Sequence, residues 1–417
     1  MIIKEAEKSM NILYIEHYAG GPAYGMEFRP YYLAREWVRQ GHNVTIIAST
    51  FSHLRQRNPD VAKDFQEECL DGIKYVWLKG NEYEGSVARI RNIMSFVRKL
   101  LRNARRIAES YRPDLVIASS TYPLDNIPAN KIAKLAGAKY IYEIHDLWPL
   151  SPMLIGGYSK YHPFIVVMQY GEDYAFKHAD KVVSLLWNSE DHCRERGLAA
   201  GKFVCVPNGY NPEEWAESKF ELALPQEHQE VFDKLSGKVL VGFAGGFTAS
   251  ESVLPLVKAA ALLKNRPDIH FVLVGKGSEQ ASYEKVMEEQ GLANVTILPS
   301  VPKSLVPAVD KHFDISYLGG THSELHKYGT SYNKMTDYML CSSSIIQSVD
   351  EPGSVVERIG CGIRVEAENV AAIADAIGKL ADMSPDQRKE MGKKGKEYVK
   401  DLPWSKLAKD FLSSIER

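Results

Sequence analysis

The stretch KVLVGFAGGFTASESVLPLVKAAALL (238–263) decides the fold. KVLVGFA is an apolar run of strand length, Gly245 and Gly246 turn the chain, and from Val253 to Leu263 the apolar spacing is helical. Ser250 or Ser252 is placed to cap that helix. Strand, glycine turn and helix in this order open a βαβ unit, and a helix N-terminus at the turn suits a diphosphate. The six-residue G-x-G-x-x-G fingerprint is missing, so the same stretch also reads as a turn that binds nothing.

Outward from it the rhythm repeats on both sides. Downstream strands are expected in DIHFVLVG, NVTILPS, FDISYLG, SSIIQS and CGIRV, with two final helices broken at Pro403. Upstream, strands NILYIE (11–16), NVTIIAS (43–49), GIKYVWLK (72–79), DLVIAS, KYIYEI, KVVSLL and KFVCVP (202–207) alternate with helices near 28–40, 86–110, 126–136 and 163–177. The fold class is therefore α/β, two Rossmann-like domains with parallel doubly wound sheets, expected to face each other across a cleft. The boundaries read as 1–207 and 208–402, with a helix at 403–417 expected to pack back on the first domain.

Composition agrees with an ordinary globular chain: 417 residues, 45% hydrophobic, with 51 basic against 53 acidic residues. Up to residue 205 the balance is 27 basic to 23 acidic, which leaves 24 to 30 beyond it. That asymmetry is too small for a nucleic-acid stripe. Five scattered cysteines without C-x-x-C suit a reducing cytoplasm. MIIKEAEKSM lacks the apolar core of a secretion signal, and no run of 18 apolar residues is present, so a membrane role would be peripheral. P-loop, G-x-G-x-x-G, D-x-D, H-E-x-x-H and G-x-S-x-G patterns are absent, which lowers the weight of dehydrogenase, P-loop and serine-hydrolase readings. VGKGS (274–278) is only a near miss.

Four loops carry candidate chemistry. HYAGGPAYGMEFRPYYLA places Gly20, Gly21 and Arg29 after the first strand, a loop that could also merely turn the chain. EIHDLWPLSP (143–152) brings His145, Asp146 and Trp148 to a strand end, although a lone His there is more often structural. The third is Gly245, Gly246, Phe247 and Thr248. In the fourth, HKYGTSYNKMTDYM, Asn333, Lys334 and Asp337 share a helix face, either as ligands for phosphate and ribose or as an exposed ion pair.

In this order and spacing the loops resemble the family-4 nucleotide-sugar glycosyltransferases of GT-B fold, a resemblance that spans nearly the whole chain. PNGYN (207–211) is similar to that family's domain-linking turn, and the segment from Arg358 to Val399 to its C-terminal tail. EIHDLWP and KYGTSYNKMTDYM further resemble the branch that builds bacterial O-antigens and capsules, including transferases of N-acetylated 6-deoxyhexosamines. The resemblance implies retention of anomeric configuration. It makes Gly20 and Gly21 an acceptor-side loop, His145 the histidine beside the donor sugar, Asp337 the ribose acid, and Ser300 with Val301 the reader of a nucleobase, with uracil expected. It also exposes departures: the family's first acid, diphosphate Arg and diphosphate Lys fall on Gly329, Gly246 and Glu251. Lys334, with backbone donors of residues 245–248, is the expected substitute, and Glu324 or His322 could meet the sugar.

The reading is a transferase expected to move a sugar from a UDP-linked donor onto a surface-polysaccharide or polyprenyl-linked glycan, needing no cofactor or metal, at the cytoplasmic face of the cell membrane. Seven basic residues and no acid between 85 and 108 suggest an anionic membrane surface as a partner, the alternative being a solvated surface helix. Nucleic acid is not expected. Two rival functions remain open: a nucleotide-sugar epimerase, which needs paired acids or bases, and an inactive glycan- or nucleotide-binding subunit.

Overall fold

The computed structural model describes residues 9–25 and 28–416. Most of the polar N-terminal segment, and Met26 and Glu27 of the first glycine loop, lie outside them. The chain divides into two units, residues 1–208 with 404–417, and residues 209–403.

The first unit is built on eight strands: β1 (Asn11–Ile15), β2 (Asn43–Ser49), β3 (Gln66–Leu70), β4 (Ile73–Leu78), β5 (Leu115–Ala118), β6 (Lys139–Ile144), β7 (Lys181–Ser184) and β8 (Phe203–Cys205). Their order is β3-β4-β2-β1-β5-β6-β7-β8. All neighbours are parallel except β3 and β4. β3 is a departure from the expected all-parallel sheet. QEECL alternates polar and half-buried residues and so reads as loop, yet Asp71 and Gly72, both at positive φ, close a tight hairpin onto β4. Its acids suit a strand at a sheet edge.

Helix α1 (Phe28–Arg39) packs on this sheet, and the expected helix of 86–110 is two, α2 (Gly85–Arg102) and α3 (Ala104–Tyr111), interrupted at Asn103. Ile93, Phe96, Val97 and Leu100 of α2 are buried, so its apolar stripe faces the protein core. Helix α4 (Pro163–His178) follows β6.

The second unit holds β9 (Val239–Gly246), β10 (Ile269–Lys276), β11 (Val295–Leu298), β12 (Ile315–Gly319), β13 (Ser344–Ser348) and β14 (Gly362–Val365), all parallel, in the order β11-β10-β9-β12-β13-β14. Val241, Phe243, Leu256, Ile269 and Phe271 form one continuous core with helix α5 (Leu254–Leu262). The capping expectation for Ser250 and Ser252 fails. A 3₁₀ turn, Ala249–Glu251, intervenes, Ser252 takes a left-handed conformation, and α5 starts after Val253 without a side-chain cap. Helix α6 (Asn333–Leu340) lies between β12 and β13.

The chain then returns to the first unit as α7 (Trp404–Glu416). Trp37 Nε1 of α1 donates to the Ala408 carbonyl at 2.9 Å, Tyr32 stacks on Trp404 at 5.5 Å, and Trp37 meets Phe411 edge-on at 5.3 Å. Trp37, Trp404 and Phe411 are all buried, so this seam is core rather than surface contact.

Candidate functional site

In the first unit the chemistry gathers at the carboxyl ends of β5 and β6, where an open parallel sheet presents its ligand site. Glu143 points inward from an otherwise apolar strand and is completely buried. One carboxylate oxygen accepts from Arg29 Nε at 2.9 Å, and the other from Ser119 Oγ at 2.6 Å and from the hydroxyl of Tyr14. Burial opposes its charge, but Arg29, His145 and Ser119 hold the carboxyl well below the usual range.

His145 Nε2 lies 2.9 Å from Ser119 Oγ and 3.1 Å from Glu143 Oε2. A nitrogen beside a carboxylate carries the proton, so this contact assigns the proton to Nε2 and leaves Nδ1 as the nitrogen offered to a ligand. His145 is thus a positioned imidazole whose far side is chemically available. Ser119, Glu143 and Tyr14 were not among the sequence candidates. The one signal was an acid inside the apolar strand KYIYEI.

Two expectations for this unit are corrected. Arg29 is buried, and beyond Glu143 its guanidinium donates to the carbonyls of Val206 and Pro207 at 2.9 Å each; it braces β6 against the end of β8 and offers no charge to an acceptor. Gly20 and Gly21 are buried too, with the Gly20 carbonyl accepting from Tyr75 at 2.8 Å and the ring of Tyr31 against Gly21, so that loop is packed rather than open. Asp146 is half-buried and accepts from Ser151 Oγ at 2.6 Å. Trp148, half-buried, meets Phe164 edge-on and is joined to Pro149 by a cis peptide bond.

In the second unit the end of β9 and the loop after it are held down by the neighbouring strand. A Cβ on Gly275 would sit 2.0 Å from the Gly245 carbonyl oxygen and one on Gly277 2.2 Å from that of Phe247, so only glycine lets the end of β10 approach. This gives the glycines of VGKGS a packing role that the near miss to a nucleotide motif did not suggest. Phe247 is a correction: its ring is buried against Phe243 and Tyr283, and its amide donates to Lys276 O at 2.9 Å, so it presents neither group. Gly246 and Thr248 remain exposed.

Lys334 reaches the same loop, its Cε 2.4 Å from where a Gly245 Cβ would stand, and its ammonium pairs with Glu251 at 2.5 Å. Glu251 occupies the place where the resemblance expected a lysine. Lys276, missed by the sequence reading, ends β10 directly beside Gly246, is exposed, and makes no ion pair among the described residues.

Asp337 lies one turn beyond Lys334, half-buried, and its carboxylate has no hydrogen-bond or ion-pair partner among the described residues. Burial raises it to about 7 against the pull of Lys303 and Lys334. Asn333 is exposed at the start of the same helix. After β11, Ser300 is exposed and Val301 half-buried, beside a Pro299 carbonyl that His228 anchors at 2.9 Å. Glu324 stands apart: it is exposed and pairs at 3.6 Å with Lys327 within one short turn, while His322 pairs with Asp350 at 2.7 Å. Neither joins Lys334 and Asp337 among the contacts. The missing first acid leaves a different arrangement, in which buried Glu351 accepts from the amide and hydroxyl of Thr330 and so fixes the Gly329–Thr330 turn.

Among the described residues no group of three or more His, Cys, Asp or Glu could hold a metal ion, and no helix is long and apolar enough to cross a membrane.

Comparisons with known proteins follow this geometry. The family described as "Glycosyl transferase 4-like domain" matches residues 24–209, and that described as "Glycosyl transferases group 1" matches 238–383. The chain is 22% identical over 364 residues to the inferred colanic acid biosynthesis glycosyl transferase WcaI of Escherichia coli (strain K12), covering 82% of this chain and 85% of that one. Among solved structures it resembles Anabaena HepE in complex with UDP and glucose, at 15% identity and a TM-score of 0.66, covering 98% and 99% of the two chains. It resembles sucrose-phosphate synthase of Thermosynechococcus elongatus at 17% identity and a TM-score of 0.70, covering 97% and 98%. Two parallel-sheet α/β units, glycine-lined strand ends and both family matches lead to one assignment: the chain belongs to the family-4 glycosyltransferases of GT-B fold.

Proposed function

We propose that the chain transfers a sugar from a UDP-linked donor to a growing surface glycan, with retention of configuration, as a peripheral protein of the cytoplasmic membrane face. The observation that carries this reading is Asp337, a carboxyl without a partner among the described residues, on a helix face shared with Lys334, whose side chain reaches the glycine-lined end of β9. The ionised carboxylate accepts hydrogen bonds from both ribose hydroxyls, and Lys334, Lys276 and the exposed amides near Gly246 and Thr248 meet the diphosphate. HepE, similar in fold, is a protein whose structures hold UDP and UDP-glucose.

As the glycosidic bond lengthens, negative charge accumulates on the departing diphosphate, where fixed cations stabilise it most. The leaving oxygen accepts the proton of the attacking hydroxyl on the same face of the sugar. Imidazole Nδ1 of His145 hydrogen-bonds a sugar hydroxyl while Glu143 and Ser119 keep the ring from rotating. These groups supply the charge that a divalent cation would otherwise supply, so transfer is expected to persist in EDTA. Anomeric analysis of the product by NMR, with UDP release followed in parallel, tests the proposal; an inverted product, or loss of activity in EDTA restored by Mg²⁺, overturns the mechanism.

One observation favours a second reading. Glu251 neutralises Lys334 where a free lysine was expected, as in a binding subunit without catalysis. UDP binding without turnover across a broad acceptor panel would support that reading.

A further inference from the structure

With ribose given to Asp337 and diphosphate to Lys334, one acid of the second unit stands in the same place without a task. Glu251 lies in the 3₁₀ turn after β9, and its carboxylate oxygen Oε1 is 2.5 Å from the Lys334 ammonium. A carboxylate beside a diphosphate repels it, unless the same ligand brings a donor for that carboxylate. The other oxygen, Oε2, has no hydrogen-bond or ion-pair partner among the described residues, and the side chain is 26% exposed, so it is open to a ligand.

The turn that carries Glu251 is fixed. Its carbonyl oxygen would lie 2.4 Å from a Cβ on Gly319, so the turn is seated directly on the end of β12. The next carbonyl, of Ser252, accepts from the buried Tyr317 hydroxyl at 2.9 Å. Ser252 itself is buried in a left-handed conformation, with its hydroxyl 3.3 Å from Glu368. A backbone anchored at successive residues holds the side chain between them in one place, which is what telling one hydroxyl pattern from another requires.

Lys334 is not used up by this contact. An ammonium has three N–H donors, and Lys334 makes one hydrogen bond among the described residues, so two donors remain for phosphate oxygens. Taken from Asp337 through Lys334 to Glu251, the groups are acid, base, acid. A nucleotide sugar offers its own groups in the matching order: ribose hydroxyls, a diphosphate, then the hydroxyls of the sugar. An ionised diphosphate has no proton to donate and the ribose is met by Asp337, so the sugar hydroxyls are the donors left beside the diphosphate. Glu324, expected at the sugar from the sequence, turns to Lys327 instead.

Resting on the transfer reading above, we propose that Glu251 reads the donor sugar: Oε1 stays on Lys334 while Oε2 accepts a hydrogen bond from a hydroxyl of the sugar to be transferred. The pair with Lys334 then orients the carboxylate rather than silencing the lysine. Sugars with a hydroxyl at that place are favoured, and those in which it is missing or inverted leave the carboxylate unmet and are rejected.

The test is calorimetry of the parent, Glu251→Gln and Glu251→Ala as full chains. The ligands are UDP, whichever of UDP-glucose, UDP-galactose and UDP-N-acetylglucosamine binds the parent most tightly, and the deoxy analogues of that donor at each free sugar hydroxyl. At least one deoxy analogue is expected to bind the parent tenfold or more weakly than the intact donor. In Glu251→Ala the same analogue is expected to differ from the intact donor less than twofold, and in Glu251→Gln, whose amide oxygen still accepts, by an intermediate factor. UDP, which has no sugar, is expected to bind both variants up to fivefold more tightly, because a negative charge has left the diphosphate site. A deoxy penalty that is the same in all three chains overturns the proposal, since a Glu251 acting through its charge alone would shift every donor alike; so does loss of UDP binding in both variants. Either outcome, with the parent still binding UDP and the intact donor, leaves the transfer reading standing. A parent chain that binds neither UDP nor any of the three UDP-sugars refutes the transfer reading, and the role of Glu251 with it.

Discussion

Asp337 and Glu143 are two carboxyls that the fold pushes in opposite directions, and their pH signatures differ accordingly. Asp337 is raised to about 7, so the folded chain holds a proton that the unfolded chain releases near pH 4; its contribution to stability falls as pH climbs from 4 through 7. The ionised form accepts from both ribose hydroxyls more strongly than the protonated one, so UDP affinity is expected to rise through pH 7 in calorimetry. Asp337→Asn is expected to flatten that dependence and to weaken UDP tenfold or more, since each charge-assisted bond is worth roughly 1.5–3 kcal/mol. Glu143 is depressed, so its contribution is complete above about pH 4.3 and is lost as pH falls below it. Removing its charge in Glu143→Ala strands Arg29 in the core, at a cost of about 3–5 kcal/mol in urea unfolding. Glu251→Gln frees Lys334 from a half-exposed pair worth under about 1 kcal/mol, so UDP affinity is expected to rise by at most about fivefold. The position of His145 was legible in the sequence because a polar residue after an apolar strand marks a strand mouth, and the shared helix face of Lys334 and Asp337 because residues three apart lie on one side. Arg29 and Phe247 were misread, because a loop position does not reveal which way a side chain turns.

The elements were legible in proportion to their periodicity. β9 and β10 are long apolar runs, and their bounds fall within two residues of the sequence reading. β3 was not legible, since a polar edge strand lacks the apolar alternation that marks a half-buried one, and the break at Asn103 was hidden by basic residues that continue the helical pattern on both sides. The face of α2 was legible only in part. Of its seven basic neighbours, Lys99 bonds Asp64 at 2.7 Å, Arg106 lies 4.4 Å over Phe65, and Arg89 lines a cavity of the first unit, whereas Arg91, Arg98, Arg102 and Arg105 are exposed. For α7, Phe411→Ala removes a fully buried ring from the seam with Trp37 and is expected to cost about 3–5 kcal/mol, read as a lower denaturant midpoint.

Across the whole molecule the net charge is −2, so any attraction to an anionic membrane comes from how charge is distributed rather than from its sum. The five exposed arginines of α2 and α3, Arg91, Arg98, Arg102, Arg105 and Arg106, are where such a local field would arise. Flotation with vesicles of anionic lipid is expected to recover the chain at low salt. Recovery is expected to fall sharply at 0.5 M salt, where screening shortens to a few ångströms, and in Arg91→Glu with Arg98→Glu and Arg102→Glu. Recovery that ignores both changes would confine the helix to a solvated surface role.

The return of the chain to its first unit also sets an order of completion. On a ribosome, residues 209–403 emerge before α7, so the aromatic face of α1 around Tyr32 and Trp37 stays bare while the entire second unit is being made. A chain arrested in that unit exposes buried-type aromatic surface to chaperones and proteases, whereas one that extends through α7 covers it. Helix α7 therefore works as a seal, set only after the second unit has been made.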